Sequence, residues 1–474
     1  MISMNLSVWM AYGILGAFIL LWLANGYYWS RHVKTEDDFA LAGRNVGFAL
    51  GTGTVIATWV TANTILTAPE MAYRNGIYGI IGYSFVGLSV VFFAPLAKRI
   101  KDLMPNGVTS GEFFKLRYGK GTWLIYFVLS FAYLFAFLVT QSMGAGLVLD
   151  SIFGIPYQVG MVTITLVCVV YTMMGGLRSV IAMDFINTIL ILACLVIVVP
   201  ISLTKVGIAD IYTGVMANSP ERMEVLRPLG LVYVFSAPVF ALGEIFHSNL
   251  WWLRAHAMRS KSVRKSWLAG GFIWMFVPMV AGTVGMIQLY SGSAPEHMNM
   301  IFPQMAVQVL GGLGAFMVTV VILASISSTL DSLLAGTSSF LAEDVYRSYV
   351  NPKAVDRQIN RVQRVIILGL GVAAILLAWF QIGTMGQILY FSGAFVCSMI
   401  WPIVYGLYDK TASTAAANYS MIIGTTVGIL ANIYISPFAG PTVAAITSFV
   451  IFTSMSKAKP GDFQWEKLSM KETA

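Results

Sequence analysis

The sequence predicts an all-α integral membrane protein, and three observations support this fold class. Of the 474 residues, 57% are hydrophobic and only 11% are charged, whereas soluble domains carry about 25% charged residues. Apolar runs of at least ~18 residues, the length that a membrane-spanning helix needs, recur along the chain. These runs lack the alternation of barrel strands, and only helices satisfy their own backbone hydrogen bonds in lipid.

The apolar runs divide into about thirteen predicted spans that are separated by short polar loops. The spans lie approximately at 7–29, 46–69, 75–98, 121–148, 156–175, 183–204, 229–250, 267–290, 304–340, 363–381, 385–407, 417–436 and 438–455. The span at 304–340 is long enough to tilt or to continue beyond the membrane. We predict one transmembrane domain over residues 1–456 and a short polar tail over 457–474.

Loops that are rich in Lys and Arg alternate with loops that are poor in them. The basic loops include RHVKTEDDFALAGR, KRIKDLMPNGVTSGEFFKLRYGKGT and RAHAMRSKSVRKS. The positive-inside rule places them in the cytoplasm, so thirteen crossings put the N-terminus outside and the C-terminus inside. The net charge of +8 therefore reflects topology, and we expect no nucleic-acid partner. The compact loops favour a location in the plasma membrane of a bacterium, that is, its inner membrane. The lipid bilayer is therefore an expected partner of the chain.

The sequence argues against an enzyme. No loop is long enough for a soluble catalytic domain, and the four histidines are scattered. Cys168, Cys194 and Cys397 fall within apolar runs without the spacing of metal ligands, so they are interpreted as small core residues. We expect no organic cofactor.

The polar stretch ASISSTLDS lies inside an otherwise apolar run. Four of its hydroxyl residues are spaced i, i+3, i+4 and i+7 and so share one helix face: Ser325, Ser328, Thr329 and Ser332. Asp331 lies at the edge of this face, where a charge near mid-membrane costs at least ~2.5 kcal/mol. A single hydroxyl here more often bonds its own helix or allows close packing. Four beside an aspartate favour a site for a hard cation such as Na+.

A cation needs further oxygens, which the freed carbonyls of a broken helix supply. The second span offers one candidate, because Thr58, Thr61 and Thr64 crowd its middle, and Pro69 is expected to end it. A small-residue packing face explains this pattern equally well.

A second broken helix is predicted in VYVFSAPVFALGEIFHSNLWWLRA, with Pro238 and Gly243 as natural breaks. Glu244 is an ionisable group within this span, which indicates a functional residue. It would bond a polar solute, pair with a basic group such as His247 or line an inner gate, unless it lies near enough to the cytoplasm to be hydrated. No arginine is evident at mid-membrane, which weakens the case for a strongly anionic solute.

Four stretches together resemble the sodium/solute symporter family. They are DDFALAGRN, YTMMGGLRSVIAMDFINT, NLWWLRAHA and ASISSTLDSLLAGTSSFLAEDVYR. The likeness extends from about residue 35 to about 410. It implies a LeuT-type fold, with two inverted five-helix repeats at roughly 46–206 and 229–408, one additional helix before them and two after them.

The resemblance also implies cation ligands. The first Na+ site takes carbonyls or hydroxyls from Ala57, Val60, Ser325, Ser328 and Thr329. A second cation site, which some members have, matches Asp184, Ser328, Asp331 and Ser332. Many relatives have serine in place of Asp331, whose carboxylate either strengthens the second site or carries a proton. Asp184 has the further alternative of capping a helix N-terminus.

The family pattern places a solute between the two broken helices. Six residues are predicted to line its pocket, with Trp59 nearby: Asn63, Thr64, Tyr83, Glu244, Gln387 and Tyr390. Such groups suit a small neutral or zwitterionic solute. We predict Na+-coupled import of a small polar organic solute, of the urea, amino acid or carboxylate class, by alternating access. The alternatives are a proton-coupled symporter of the same fold, a passive channel and a transporter-like sensor. The chain is expected to be monomeric or weakly oligomeric.

Overall fold

The computed structural model describes residues 8–224, 228–295, 297–381, 385–436 and 439–469. These ranges contain twenty α-helices and no β-strand. The helices are α1 Val8–Ser30, α2 Glu36–Leu41, α3 Phe48–Trp59, α4 Ala62–Asn75, α5 Ile77–Phe85, α6 Leu88–Leu103, α7 Ser110–Tyr118, α8 Lys120–Phe153, α9 Tyr157–Lys205, α10 Ile208–Asn218, α11 Pro228–His247, α12 Asn249–Ala257, α13 Val263–Tyr290, α14 Ile301–Leu310, α15 Gly312–Leu341, α16 Asp356–Trp379, α17 Met385–Cys397, α18 Ile400–Tyr408, α19 Thr414–Tyr434 and α20 Ala439–Ala458.

Most predicted spans correspond to helices of membrane-crossing length. Among the described residues, ten helices are long and apolar enough to cross a membrane, and eleven if the bent pair α3–α4 forms one span. The 49 residues of α9 would extend ~73 Å at 1.5 Å per residue, enough for two crossings, and α9 kinks at Gly176, where φ is 57°. The total of thirteen spans, the repeat boundaries and the limits of the transmembrane domain stay predictions.

Two predicted helix limits are wrong. Pro69 does not end the second span, because α4 continues through it to Asn75 and ends before Gly76, whose φ is 63°. The predicted single span at 304–340 is two helices, α14 and α15, separated at Gly311 with φ 58°. Glycine adopts this left-handed conformation without the steric cost of a side chain, so Gly76 and Gly311 mark the two ends.

The predicted breaks at Pro238 and Gly243 are also wrong. Helix α11 runs through both residues, and the chain leaves helical geometry only at Ser248, with φ −74° and ψ 122°. Gly243 instead allows close packing, because a Cβ there would lie 2.7 Å from Cys397 Sγ on α17. The break at Ser248, between α11 and α12, is called the second break below.

Helix α15 forms the centre of the bundle. It packs against α9, α8, α16 and α3, while α13 covers α3, α4 and α6. Every residue from Val321 to Phe340 is buried. The whole polar stretch of this helix therefore faces other helices rather than the surface.

The segment between α1 and α3 is a folded arm. Thr35 and Asp38 form a capping box at the start of α2, and Asp38 Oδ1 lies 3.0 Å from Arg178 Nη1 on α9. Partial burial opposes ionisation of Asp38, but hydrogen bonds from Lys34 and Thr35 and the charge of Arg178 hold its pKa below the ordinary value. Arg44 adds a 2.8 Å bond to the Gly107 carbonyl. The arm therefore ties the start of α3 to α9 and to the loop after α6.

Candidate functional site

The first break, at Val60 and Thr61, divides the second predicted span into α3 and α4. Val60 leaves helical geometry with ψ 87°, and the two halves diverge by 58°. Thr61 and Thr64 form a capping box: the Thr61 N–H donates to Thr64 Oγ1 at 3.2 Å, and the Thr64 N–H donates to Thr61 Oγ1 at 3.3 Å. The Thr61 N–H therefore does not continue the helix by bonding the Ala57 carbonyl. This local threonine pair explains why the chain breaks here.

The hydroxyl face of α15 meets the end of α3. Thr329 Oγ1 lies 3.3 Å from the Thr58 carbonyl oxygen and 3.3 Å from that of Ser325. Ser325 Oγ is buried and has no hydrogen-bond partner among the described residues. Ala57 and Val60, whose carbonyls belong to the predicted first Na+ site, are fully buried beside this contact. The structure thus brings the broken helix and Thr329 together.

Asp184 accepts hydrogen bonds from three helices. Ser328 donates to its Oδ1. Thr54 Oγ1 lies 2.6 Å and Thr58 Oγ1 3.3 Å from Oδ2, and Arg254 Nη2 lies 3.1 Å from the same oxygen. Asp184 is fully buried in the interior of α9, so it does not cap a helix N-terminus. Burying a carboxylate charge costs far less when it is paired and hydrogen-bonded, as it is here.

Asp331 has a different environment. It is fully buried, and its Oδ1 lies 3.1 Å from Ser332 Oγ. Its Oδ2 has no hydrogen-bond partner among the described residues. The Ser332 hydroxyl also lies 2.6 Å from the Ser328 carbonyl oxygen. Among the described residues, an arginine pairs with Asp184 but not with Asp331, the other carboxylate of the predicted second cation site.

Glu244 links the two broken helices. Its Oε1 accepts a 3.0 Å hydrogen bond from Trp59 Nε1 at the end of α3. Trp274 lies against Trp59, with ring centroids 4.7 Å apart, and Tyr83 lies 6.4 Å from Trp274. This cluster gives a carboxylate beside an aromatic wall, which suits a small polar solute.

His247 does not pair with Glu244. Its Nδ1 bonds the Gly243 carbonyl oxygen at 2.8 Å. The Trp252 indole donates to the Phe246 carbonyl at 2.7 Å, and Tyr126 on α8 donates to the His247 carbonyl. Side chains thus satisfy the carbonyls at the end of α11, which explains how the second break forms at Ser248 despite the proline and glycine upstream.

Arg254 was placed by sequence in a cytoplasmic loop, but the structure buries it completely on α12. Its guanidinium contacts α3, α9 and α15. The sequence prediction missed Arg254 because an arginine at the end of an apolar run is also what the positive-inside rule expects of a cytoplasmic loop. The aromatic residues before it, in NLWWLRAHA, were the available hint.

The structure places three of the predicted pocket residues by their helices alone. Gln387 and Tyr390 lie on α17, and Asn63 lies on α4, but their side chains fall outside the described residues. Thr64 is buried and caps α4, with Oγ1 3.3 Å from the Trp59 carbonyl. A cavity of about 570 Å³ lies elsewhere, beside the ends of α9 and α13 and along α14. It does not include the predicted pocket residues.

A helix broken beside a buried row of hydroxyls, inside a bundle of apolar helices, is typical of secondary transporters. The structure superposes on an outward-open, substrate-bound Na+-coupled sialic acid symporter with a TM-score of 0.82 and 20% identity, covering 96% of this chain and 99% of that one. This likeness establishes the LeuT-type fold. The model of the sodium:solute symporter family matches residues 39–424. The chain belongs to the sodium:solute symporter family and is a membrane transporter.

Individual relatives carry different solutes. The chain is 26% identical over 504 residues to the urea-proton symporter DUR3 of Oryza sativa subsp. japonica, covering 94% of this chain and 69% of the rice protein. It is 27% identical over 455 residues to the high-affinity proline transporter PutP of Bacillus subtilis, covering 92% of this chain and 96% of that protein. The rice relative is named a symporter and the Bacillus relative a transporter, and the solutes in their names, urea and proline, differ.

Proposed function

We propose that this protein imports a small polar organic solute together with Na+ by alternating access. The observation that carries the proposal is the contact between Thr329 Oγ1 on α15 and the Thr58 carbonyl at the first break, at 3.3 Å. A cation held at this contact would join the two helices. Na+ is a hard cation and prefers such neutral oxygens.

The donor set at the first break suits Na+. The candidate ligands are the carbonyls of Ala57, Val60 and Ser325 and the hydroxyls of Ser328 and Thr329. All five residues are buried, and an ion there would take the place of main-chain and side-chain hydrogen bonds that the break leaves unmade.

The proposed solute pocket adjoins this set. Glu244 and Trp59 would contact the solute with Tyr83, and Asn63, Thr64, Gln387 and Tyr390 would complete the lining. A buried carboxylate favours solutes that donate N–H groups, such as urea or an amino acid; a carboxylate solute would need its own cation or proton. Na+ bound at the end of α3 would fix Trp59, and each ligand would raise the affinity for the other.

Thermal unfolding of the purified protein tests sodium coupling. A ligand that binds only the folded state stabilises it by RT ln(1 + [L]/Kd), about 2.7 kcal/mol at one hundred times Kd. We expect a higher Tm in NaCl than in choline chloride at equal ionic strength. Thr329→Val should abolish this difference. Thr337→Val is the matched control, because Thr337 is a buried threonine on the same helix whose hydroxyl has no partner among the described residues.

The alternative of proton coupling predicts a different outcome. The rice relative is named a urea-proton symporter, so uptake into proteoliposomes is measured with a Na+ gradient and, separately, with a pH gradient. Accumulation driven only by the pH gradient, without any Na+ effect on Tm, would contradict the proposal. Uptake that never exceeds equilibrium would favour a passive channel, and solute binding without uptake would favour a sensor.

A further inference from the structure

Arg254 lies inside the oxygen cluster that the family resemblance assigns to a second cation. It is fully buried. Its Nη2 lies 3.1 Å from Asp184 Oδ2 and 2.6 Å from Ser332 Oγ. Its Nε lies 2.9 Å from Thr54 Oγ1, and its Nη1 lies 3.0 Å from the Leu250 carbonyl oxygen. Every guanidinium nitrogen therefore has an acceptor.

These contacts occupy two of the four residues that would bind the second ion. Asp184 and Ser332 both accept from Nη2 of Arg254, and Ser328 donates to the other oxygen of Asp184. The remaining member, Asp331, offers one oxygen without a partner among the described residues. A mobile cation there would lie close to the guanidinium in a buried site, where two positive charges repel each other strongly. The site as built does not fit a second ion.

We propose that the guanidinium of Arg254 is a built-in cation that takes the place of a second coupling ion, so that this transporter carries a single Na+ in each cycle. The inference rests on the proposed function, because it counts the sodium ions of a sodium-coupled transporter. Arginine suits this role, since it is always charged and its planar fork bonds several acceptors at once. The fixed charge compensates Asp184, and the ion at the first break alone is exchanged.

The proposal predicts how many sodium ions each protein molecule binds. Equilibrium binding of radioactive Na+ to the purified protein, without solute, should saturate at one ion per chain. Arg254→Gln removes the fixed charge and leaves Asp184, Ser328, Asp331 and Ser332 in place, so binding should rise to two ions. Arg254→Lys keeps a positive charge and should remain at one. Arg264→Gln, outside this cluster, is the control and should also remain at one.

The outcomes separate the inference from the proposed function. Two ions bound by the unaltered protein would overturn the inference while sodium coupling stands. No binding at all would overturn sodium coupling and the inference with it. One ion in both the unaltered protein and folded Arg254→Gln would also overturn the inference, because the arginine would then be only a structural contact. If Arg254→Gln does not fold, the number of Na+ ions bound by the unaltered protein and by Arg254→Lys still tests the inference. One ion per chain is expected for both proteins, and two ions would contradict the inference.

Discussion

The two breaks differ in what surrounds the end of the preceding helix, which is α3 at the first break and α11 at the second. At the first break the capping box of Thr61 and Thr64 starts α4, and the hydroxyl face of α15 approaches the end of α3 through Thr329. At the second break, side chains cover the carbonyls at the end of α11, including the Trp252 indole and the Tyr126 hydroxyl. The first break therefore lies beside the hydroxyl face of α15, where we propose the Na+ site, whereas side chains of the protein close the second break.

This difference assigns the two breaks separate tasks. Under the proposed function, Na+ would add to the packing of α3 against α15 whenever it is bound. The second break is stabilised at all times by its caps and by Arg254 on α12, which bonds Asp184. Glu244 connects the breaks through Trp59. Arg254 Nε on α12 also lies 2.9 Å from Thr54 Oγ1 on α3, so the helices at the two breaks are in direct contact.

Removing a cap from the second break should produce the largest effect on stability. Tyr126→Phe deletes the donor to the His247 carbonyl but retains the ring, which stacks on Phe114. We expect the free energy of unfolding to fall by ~1–3 kcal/mol, since a buried acceptor loses its partner. The Tm increase caused by Na+ should remain unchanged.

The control for this prediction is Tyr78→Phe. Tyr78 is also a buried tyrosine, but its hydroxyl has no hydrogen-bond partner among the described residues, so the same substitution should be nearly neutral. Equal losses in the two variants would contradict the cap. A reduced Na+ effect in Tyr126→Phe would show that the cap of the second break also supports the ion site at the first break.

Neutralising the connection between the breaks should mainly affect the solute. In Glu244→Gln the amide oxygen still accepts from Trp59 Nε1, so the fold is retained while the charge is lost. We expect binding of the solute to weaken at least ~tenfold, or ~1.4 kcal/mol, with Na+ binding preserved. The measurement is the Tm increase given by urea, proline or a short carboxylate, whichever stabilises the unaltered protein most.

Glu70→Gln is the matched control for Glu244. Glu70 lies on α4 and pairs with Arg74 four residues later at 2.8 Å. It is therefore on the helix that follows the first break but is not one of the proposed pocket residues. Its substitution should leave the effects of Na+ and solute intact. Unchanged solute affinity in Glu244→Gln would remove Glu244 from the pocket.

The comparison also explains which features could be predicted from the sequence. The spacing of Ser325, Ser328 and Thr329 and the threonines of the first break are local signals, and the structure brings Thr329 to the end of α3. Local signals failed at the second break, because Tyr126 closes it from another helix. Arg254 was missed for the same reason, since its partner Asp184 is 70 residues earlier.

The smallest expected effect concerns the arm that holds the start of α3. Asp38→Asn removes the charge that Arg178 contacts at 3.0 Å, and a partly exposed pair contributes ~1 kcal/mol or less. Because folding lowers the pKa of Asp38, its contribution is present above the unfolded value of ~3.9 and is lost as the pH falls through the folded pKa. The Tm of Asp38→Asn should therefore lie below that of the unaltered protein at pH 7, and the difference should shrink below about pH 4. A difference that is constant from pH 7 to pH 3 would show that the carboxylate charge of Asp38 does not stabilise the arm before the first break.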